Sequence, residues 1–212
     1  LDGKPVRTPA RDFLSVPNMH LAEQLAAEWD AQEESIDPRI MQLTRLVNTA
    51  LDGVAREASA VVEDMLRFAS NDLLYYRADS PAALAERQRE RWDPDLEAME
   101  ARLGERFELT AGIIHIAQPD QTLKALRSHT ASLAEPLEIA SLHTITTLTG
   151  SALLALAVRA DDITTDEAWD LAHLDEDWNI ERWGSDSEAE RRRAVRKVDM
   201  DAAGTVLSGL KA

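Results

Sequence analysis

Apolar residues along most of the chain recur every three or four positions, the spacing that gathers them on one side of an α-helix. This spacing begins after Asn18, where Leu21, Leu25 and Trp29 follow one another. Residues 148–160 are apolar on nearly every side, which predicts a helix buried in the middle of a bundle. Further helices are predicted over residues 40–54, 59–77, 81–103, 137–159, 165–182 and 186–211, with one more beginning at Pro119.

Several of these predicted helices begin at residues that suit a helix N-terminus. Asp37-Pro38 combines a capping side chain with a proline in the first turn. Thr164 and Glu167 have the spacing of a capping box, and so do Ser185 and Glu188. The local sequence therefore supports the helix starts that the apolar spacing predicts.

The evidence for β-structure is confined to two short stretches. Residues 1–17 contain Asp2-Gly3, a dipeptide typical of hairpin turns, and three prolines that disfavour a helix. The segment ELTAGIIHIAQ, residues 108–118, predicts a short strand or an extended link. We therefore predict an α+β, mainly α protein, in which a small N-terminal β-piece and connecting helix (1–37) precede a multi-helix domain (38–212). The β-piece is expected to be truncated at Leu1, with an N-terminal segment missing.

The composition narrows the possible partners. Of the 212 residues 44% are hydrophobic, enough for a substantial core, and the net charge is −16. An acidic surface disfavours nucleic acid and anionic membranes, because both are bound through clustered cations. There is no cysteine, and no apolar run is long enough to predict a membrane span. The expected partners are proteins with basic patches, or cations.

The sequence offers little catalytic or cofactor-binding machinery. No glycine-rich phosphate loop stands before a helix, and the histidines lack zinc-ligand spacing, so we expect no cofactor and no metal. One alternative is a metal-dependent prenyl-type enzyme, with Asp161, Asp162 and Asp72 as magnesium ligands. Gly150-Ser151 lies within a predicted helix and is interpreted as a small-residue contact between packed helices. A generic helical adaptor is a further alternative.

A pattern of indoles and carboxylates near residue 176 points to a binding surface. If residues 169–183 form one helix, then Trp169, Glu176, Ile180 and Trp183 lie along one side of it. A carboxylate among indoles is costly to bury without a partner. Either an arginine of the same chain pairs with Glu176, or the side is exposed and meets an arginine of another protein.

Five segments together resemble a known family. They are LDGKPVRTPA, LAAEWDAQEESIDPRIMQLTRLVNTALD, NDLLYYRAD, QRERWDPDL and AWDLAHLDEDWNIERWGSDSEAERRR. Their order is similar to that in the chaperones that assemble the catalytic sector of ATP synthase, found in mitochondria and alphaproteobacteria. Gln42 departs from the family, which usually has proline there.

The resemblance implies that the chain is a chaperone and not an enzyme. It implies binding of the unassembled alpha subunit, and protection of that subunit from aggregation until it meets the beta subunit. The implied location is a mitochondrial matrix or a bacterial cytoplasm, and we expect the latter, with a monomeric protein. Trp29 and Arg77 are expected to be structural. The residues expected to contact the client are Trp169, Asp175, Glu176, Trp183 and Glu188.

Overall fold

A computed structural model describes residues 4–211, and the mainly helical prediction is confirmed within that range. The α-helices are α1 (Met19–Asp30), α2 (Gln42–Thr49), α3 (Ala55–Ala69), α4 (Ala82–Leu103), α5 (Asp120–Thr130), α6 (Pro136–Thr149), α7 (Ala152–Arg159), α8 (Thr165–Ala172), α9 (Leu174–Trp183) and α10 (Ser187–Leu210). The strands are β1 (Tyr76–Arg77) and β2 (Thr110–Ala111). None of the helices in this range combines the length and apolarity needed to cross a bilayer.

Helices α6 and α7 form the centre of the bundle. Ile139, Ile145 and Leu154 are fully buried there, and α2, α3, α4, α8 and α10 pack around the pair. The prediction of a buried central segment was therefore right, but the prediction of one helix across it was wrong. Gly150 ends α6 with a left-handed φ of 71°, and the Ser151 hydroxyl caps α7 by accepting a hydrogen bond from the Leu154 amide.

The two helices predicted over residues 40–54 and 59–77 have different bounds in the structure. Helix α2 runs through a π-helical turn, Ala50–Val54, directly into α3. Helix α3 ends at Ala69, so the prediction that it reaches Arg77 was wrong. A 3-10 turn, Leu73–Tyr75, and strand β1 occupy the difference.

Two small β-features flank the helices. Strand β1 pairs in parallel with β2, which lies in the segment predicted as a strand or extended link. Near the N-terminus, Arg7 and Phe13 form an isolated antiparallel bridge, and the Arg7 guanidinium lies 4.3 Å from the Phe13 ring centroid. The predicted turn at Asp2-Gly3 lies outside the described residues.

Helix α1 is held against the helical bundle at both of its ends. The Asn18 side chain caps α1 and donates a hydrogen bond of 2.6 Å to the Gly209 carbonyl of α10. At the other end, the Glu28 carboxylate accepts hydrogen bonds from the amides of Leu43 and Thr44 and so caps α2. The Asp37 side chain caps a 3-10 turn that precedes α2. The domain boundary at residue 37 stays a prediction.

The contact between α1 and α10 gives a test of packing. Gly209 has no room for a methyl group, because a Cβ there would overlap the fully buried Leu21 side chain. Gly209→Ala is expected to lower the free energy of unfolding by about 1–3 kcal/mol through overpacking. Gly53→Ala is the matched control, since nothing lies within 4 Å of its added Cβ. The control should raise stability by up to about 1 kcal/mol through helix propensity. Equal effects in urea unfolding would contradict this account.

A buried carboxylate fixes the segment between α3 and β1 to the break between α6 and α7. Asp72 is fully buried and accepts hydrogen bonds from the amides of Leu74 (3.1 Å) and Leu153 (3.0 Å). Burial raises the pKa of Asp72 to about 6, although its hydrogen bonds, including one from Ser151, act in the opposite direction. The cost of desolvating the carboxylate therefore exceeds the benefit of its donors.

This raised pKa predicts a pH dependence of stability. An unfolded aspartate has a pKa near 3.8, so the folded chain retains the proton more strongly. The stabilising contribution is complete below the unfolded pKa and is lost as pH rises toward about 6. The total change is about 3 kcal/mol. The gap in unfolding free energy between the wild type and Asp72→Asn should narrow as pH rises through this window. A carboxyl ¹³C titration midpoint of Asp72 at or below its unfolded value would contradict the prediction.

Candidate functional site

The helix predicted over residues 165–182 is broken at His173. His173 has φ −103° and ψ 12°, so α8 ends before it and α9 begins after it. Trp169 is buried in the core, and its ring centroid lies 4.1 Å from that of His173. The predicted side containing Trp169, Glu176 and Trp183 is therefore not one continuous exposed surface. Trp169 cannot anchor a client without leaving the core.

His173 acts within this break as a buried, neutral side chain. Its Nδ1 donates a hydrogen bond of 2.8 Å to the Trp169 carbonyl. Burial lowers the pKa of His173 below its ordinary value, and that hydrogen bond and the charge of Glu176 only partly oppose the effect. Local propensity gives no reason for the break, so the packing of Trp169 and His173 accounts for it.

One side of α9 is bound to α4. Trp178 is buried, and the guanidinium groups of Arg87 (4.5 Å) and Arg182 (4.0 Å) lie over its ring. Arg87 also donates two hydrogen bonds to the Glu181 carboxylate, at 2.8 and 2.9 Å. The apolar and charged contacts together fix the rotation of α9 about its own axis.

Asp175, one of the predicted client contacts, has a partner in its own chain. The Gln88 side chain is almost fully buried and donates a hydrogen bond of 2.7 Å to Asp175 Oδ1. The Gln88 carbonyl oxygen accepts a second hydrogen bond of 2.7 Å from the Ala78 amide. Asp175 also lies in the first turn of α9, where a negative charge favours the helix.

Glu176, the next residue, has no such partner. Among residues 4–211 no hydrogen bond or ion pair to its partly buried carboxylate is formed. Arg193, the cation that lines the same groove, is bound bidentately by Asp177, and that hydrogen bonding raises the pKa of Arg193. The charges of Glu176 and Asp170 add to the effect. The arginine of the same chain is thus already paired with a different carboxylate.

Glu176 lines an open groove between α9 and α10, which we call the α9–α10 groove. Gly184, which follows α9 with a φ of 84°, is part of its lining, and the adjacent Trp183 is 83% exposed. The groove has a volume of about 600 Å³. Its lining comprises Asp175, Glu176, Asn179, Ile180, Trp183, Gly184, Asp186, Ala189, Glu190 and Arg193.

The start of α10 differs from the prediction. Asp186, and not Ser185, caps the helix by accepting hydrogen bonds from the amides of Glu188 and Ala189. Glu188 pairs instead with Arg192 one turn later, at 2.7 Å. The predicted capping box at Ser185 and Glu188 is therefore wrong, whereas the one at Thr164 and Glu167 is confirmed.

The carboxylates of the alternative magnesium site are engaged elsewhere. Lys211 pairs with Asp161 at 2.5 Å, Arg102 pairs with Asp162, and Asp72 is a buried cap. Within the part of the chain that the structure describes, no group of three or more potential metal ligands comes together. These contacts explain the acids as structural residues.

Comparison with known proteins supports the resemblance. The model of the ATP12 chaperone protein family matches residues 1–100. The structure of Atp12 from Paracoccus denitrificans is similar with a TM-score of 0.90 and 38% identity, covering 97% of this chain and 88% of that one. This chain belongs to the ATP12 chaperone family. The ATP synthase assembly chaperones inferred from the five motifs are thereby confirmed as its family.

Other relatives extend this ATP12 family match. The Atu1473 protein of Agrobacterium tumefaciens has a TM-score of 0.94 and 51% identity, covering 99% of this chain and 78% of that one. The mitochondrial atp12 protein of Schizosaccharomyces pombe is 26% identical over 197 residues, covering 87% of this chain and 67% of that protein. The fold is therefore shared by bacterial members of the family.

Sequence reasoning missed two residues that shape the site. Gln88 occupies a buried position on α4 one turn before Trp92, and this polar interruption of an apolar side was the available signal. Arg193 belongs to a run of three arginines that gives no local sign of burial, but it is partly buried against Asp177. Arg77, expected to be structural, pairs with Asp93 at 2.8 Å beneath the Trp92 ring.

The contrast between Asp175 and Glu176 gives a test. Asp175→Ala leaves the buried Gln88 amide without its acceptor and should lower the free energy of unfolding by about 1–3 kcal/mol. Glu176→Ala removes no hydrogen bond and should change it by about 0.5 kcal/mol or less. Urea unfolding followed by circular dichroism measures both. A larger loss for Glu176→Ala would mean that this carboxylate is a structural residue.

Proposed function

We propose that this chaperone binds the unassembled alpha subunit of ATP synthase and prevents its aggregation until the beta subunit takes over. The observation that carries the proposal is the partly buried Glu176 carboxylate, which has no ion-pair partner among residues 4–211 and shares a groove with the exposed Trp183 indole. Tryptophan is enriched at the energetic centres of protein interfaces. The Glu176 carboxylate in the same groove is available to form an ion pair with a cation of the client.

The alternatives for Glu176 favour a client over an internal role. An internal salt bridge would require Arg193, which Asp177 already binds with both of its oxygens. A purely solvated carboxylate would be fully exposed, whereas Glu176 is partly buried, which has a cost in free energy unless a partner pairs with it. A client arginine or lysine would form a charge-assisted hydrogen bond with Glu176, and a neighbouring client side chain would cover Trp183, two turns further along α9.

The other predicted contacts take secondary parts in this proposal. Asp175 and Glu188 lie near the same groove and contribute negative potential, although Gln88 and Arg192 hold their side chains. Trp169 supports the surface from within the core. The net charge of −16 helps to attract a basic client patch, because complementary charge accelerates association.

No catalytic step is part of the proposal. The client is released when the beta subunit competes for the same surface, since a ligand shifts an equilibrium only through differential affinity. We propose the bacterial cytoplasm as the location. Identities of 51% and 38% to proteins of two bacteria, against 26% to the fission-yeast mitochondrial protein, support it. The chaperone is proposed to act as a monomer.

Two substitutions test the proposed surface. Glu176→Lys should abolish suppression of alpha-subunit aggregation, because it reverses the charge at the groove. Trp183→Ala should weaken client binding by about tenfold or more, the usual effect of truncating an interface anchor. Light scattering of purified alpha subunit and isothermal titration measure the two effects.

The matched control is Glu23→Lys, which makes the same charge change on the exposed side of α1. It should leave suppression intact, and circular dichroism should show a native helix content for all three variants. If Glu23→Lys and Glu176→Lys lost suppression of aggregation equally, the loss would be due to net charge and not to the position of Glu176. Full activity of Glu176→Lys would overturn the proposed surface.

A further inference from the structure

The α9–α10 groove combines two kinds of surface. Its apolar lining comes from Ile180 and Trp183 of α9 and from Ala189 of α10. Its carboxylates are those of Asp175 and Glu176 on α9, Asp186 at the N-cap of α10 and Glu190 on α10. The groove is thus suited to a ligand that is both apolar and cationic.

The charges that line the groove do not cancel. Four carboxylates line the groove against one cation, Arg193. Asp177, which is not part of the lining, forms an ion pair with that guanidinium and neutralises its charge. Asp175 and Asp186 have internal donors, which leaves Glu176 and Glu190 as carboxylates without a hydrogen bond from the described residues. The groove therefore presents an unbalanced negative potential at its wall.

The positions along α9 set a spacing for the ligand. Glu176, Ile180 and Trp183 lie four and three residues apart, which places them on the same side of the helix. At 1.5 Å per residue, Glu176 and Ile180 are about 6 Å apart along the axis. Two residues of an extended chain, whose side chains share a face, advance by about 6.6 Å. The axial spacing of Glu176 and Ile180 is therefore close to the spacing of side chains on one face of an extended chain.

We propose that the groove recognises an extended client segment that has an arginine or lysine and a bulky apolar side chain two residues apart. The cation pairs with Glu176, and the apolar side chain contacts Ile180 and Trp183. A volume of about 600 Å³ lies in the range of compact ligand pockets and suits a few side chains. The inference rests on the proposed function only for the source of this segment.

Capped pentapeptides and NMR of the ¹⁵N-labelled chain test the proposal directly. The probe is acetyl-Ala-Arg-Ala-Leu-Ala-amide, titrated to millimolar concentration. The Trp183 indole N–H and the Ile180 amide should shift in a saturable way, and added salt should weaken the binding by screening. Three control peptides replace the arginine by glutamate, replace the leucine by serine, or move the leucine next to the arginine. Each control should bind at least about fivefold more weakly, the loss expected for one anchor.

Two chain variants complete the experiment. Glu176→Gln should weaken the probe by about tenfold, as expected for the loss of a charge-assisted hydrogen bond. Glu23→Gln should not, because Glu23 lies on the exposed side of α1 and does not line the groove. Equal binding of all four peptides, or shifts confined to other surfaces, would overturn the inference. So would arginine amide alone binding as tightly as the probe, or spectra that change with protein concentration before peptide is added.

This outcome is separable from that of the proposed function. If the probe binds with the expected preference but purified alpha subunit does not, the groove chemistry holds and the client is a different protein. If the alpha subunit binds without the peptide preference, the groove inference fails and the chaperone proposal stands.

Discussion

The hydrogen bond between Gln88 and Asp175 is the interaction on which the arrangement of the surface depends. It joins α4 to the first turn of α9 through a side chain that solvent hardly reaches. A buried side-chain amide is costly unless its hydrogen bonds are made. The hydrogen bond therefore fixes the position of α9 more strictly than apolar contact would. Trp178 of α9 contacts Arg87 of α4, and this contact sets the rotation of α9 about its own axis. The opposite side of α9 then faces outward, and Glu176 and Trp183 face outward with it.

Adjacent acids on α9 therefore differ in role because the helix has two distinct sides. Asp175 has an internal hydrogen-bond donor in Gln88, Asp177 is paired with Arg193, and Glu176 between them has neither a hydrogen bond nor an ion pair within residues 4–211. Arg193, which lines the same groove, is paired with Asp177 and not with Glu176. Specificity commonly requires such polar groups to be left for a partner, at some cost to the free protein.

The sequence predicted most helices and the buried centre, because apolar spacing and capping residues are local properties. It did not predict the breaks at Gly150 and His173, since the apolar pattern continues through both. Gly150 required knowledge that the central segment must turn back, and His173 required the packing of Trp169. The end of α3 was missed for a similar reason: Asp72 caps a helix 81 residues away in the chain.

The candidate site was predicted in part. Glu176 and Trp183 were named from a helical projection, and the structure brings them to one groove. Trp169 was assigned to the same surface only because the projection assumed a straight helix. Gln88 is 87 residues from Asp175, and Arg193 is on the next helix, 16 residues from Asp177, so the pattern within α9 does not reveal either contact.

The bond from Asn18 to Gly209 joins residues 191 positions apart. During synthesis, α1 leaves the ribosome long before its binding site on α10 exists. Leu21, which packs against Gly209, cannot make that contact until nearly the whole chain has emerged. Contacts of such sequence separation also slow folding, because a long loop has to close first. The chaperone, which is proposed to protect an unassembled client, therefore lacks the contact between α1 and α10 for most of its own translation.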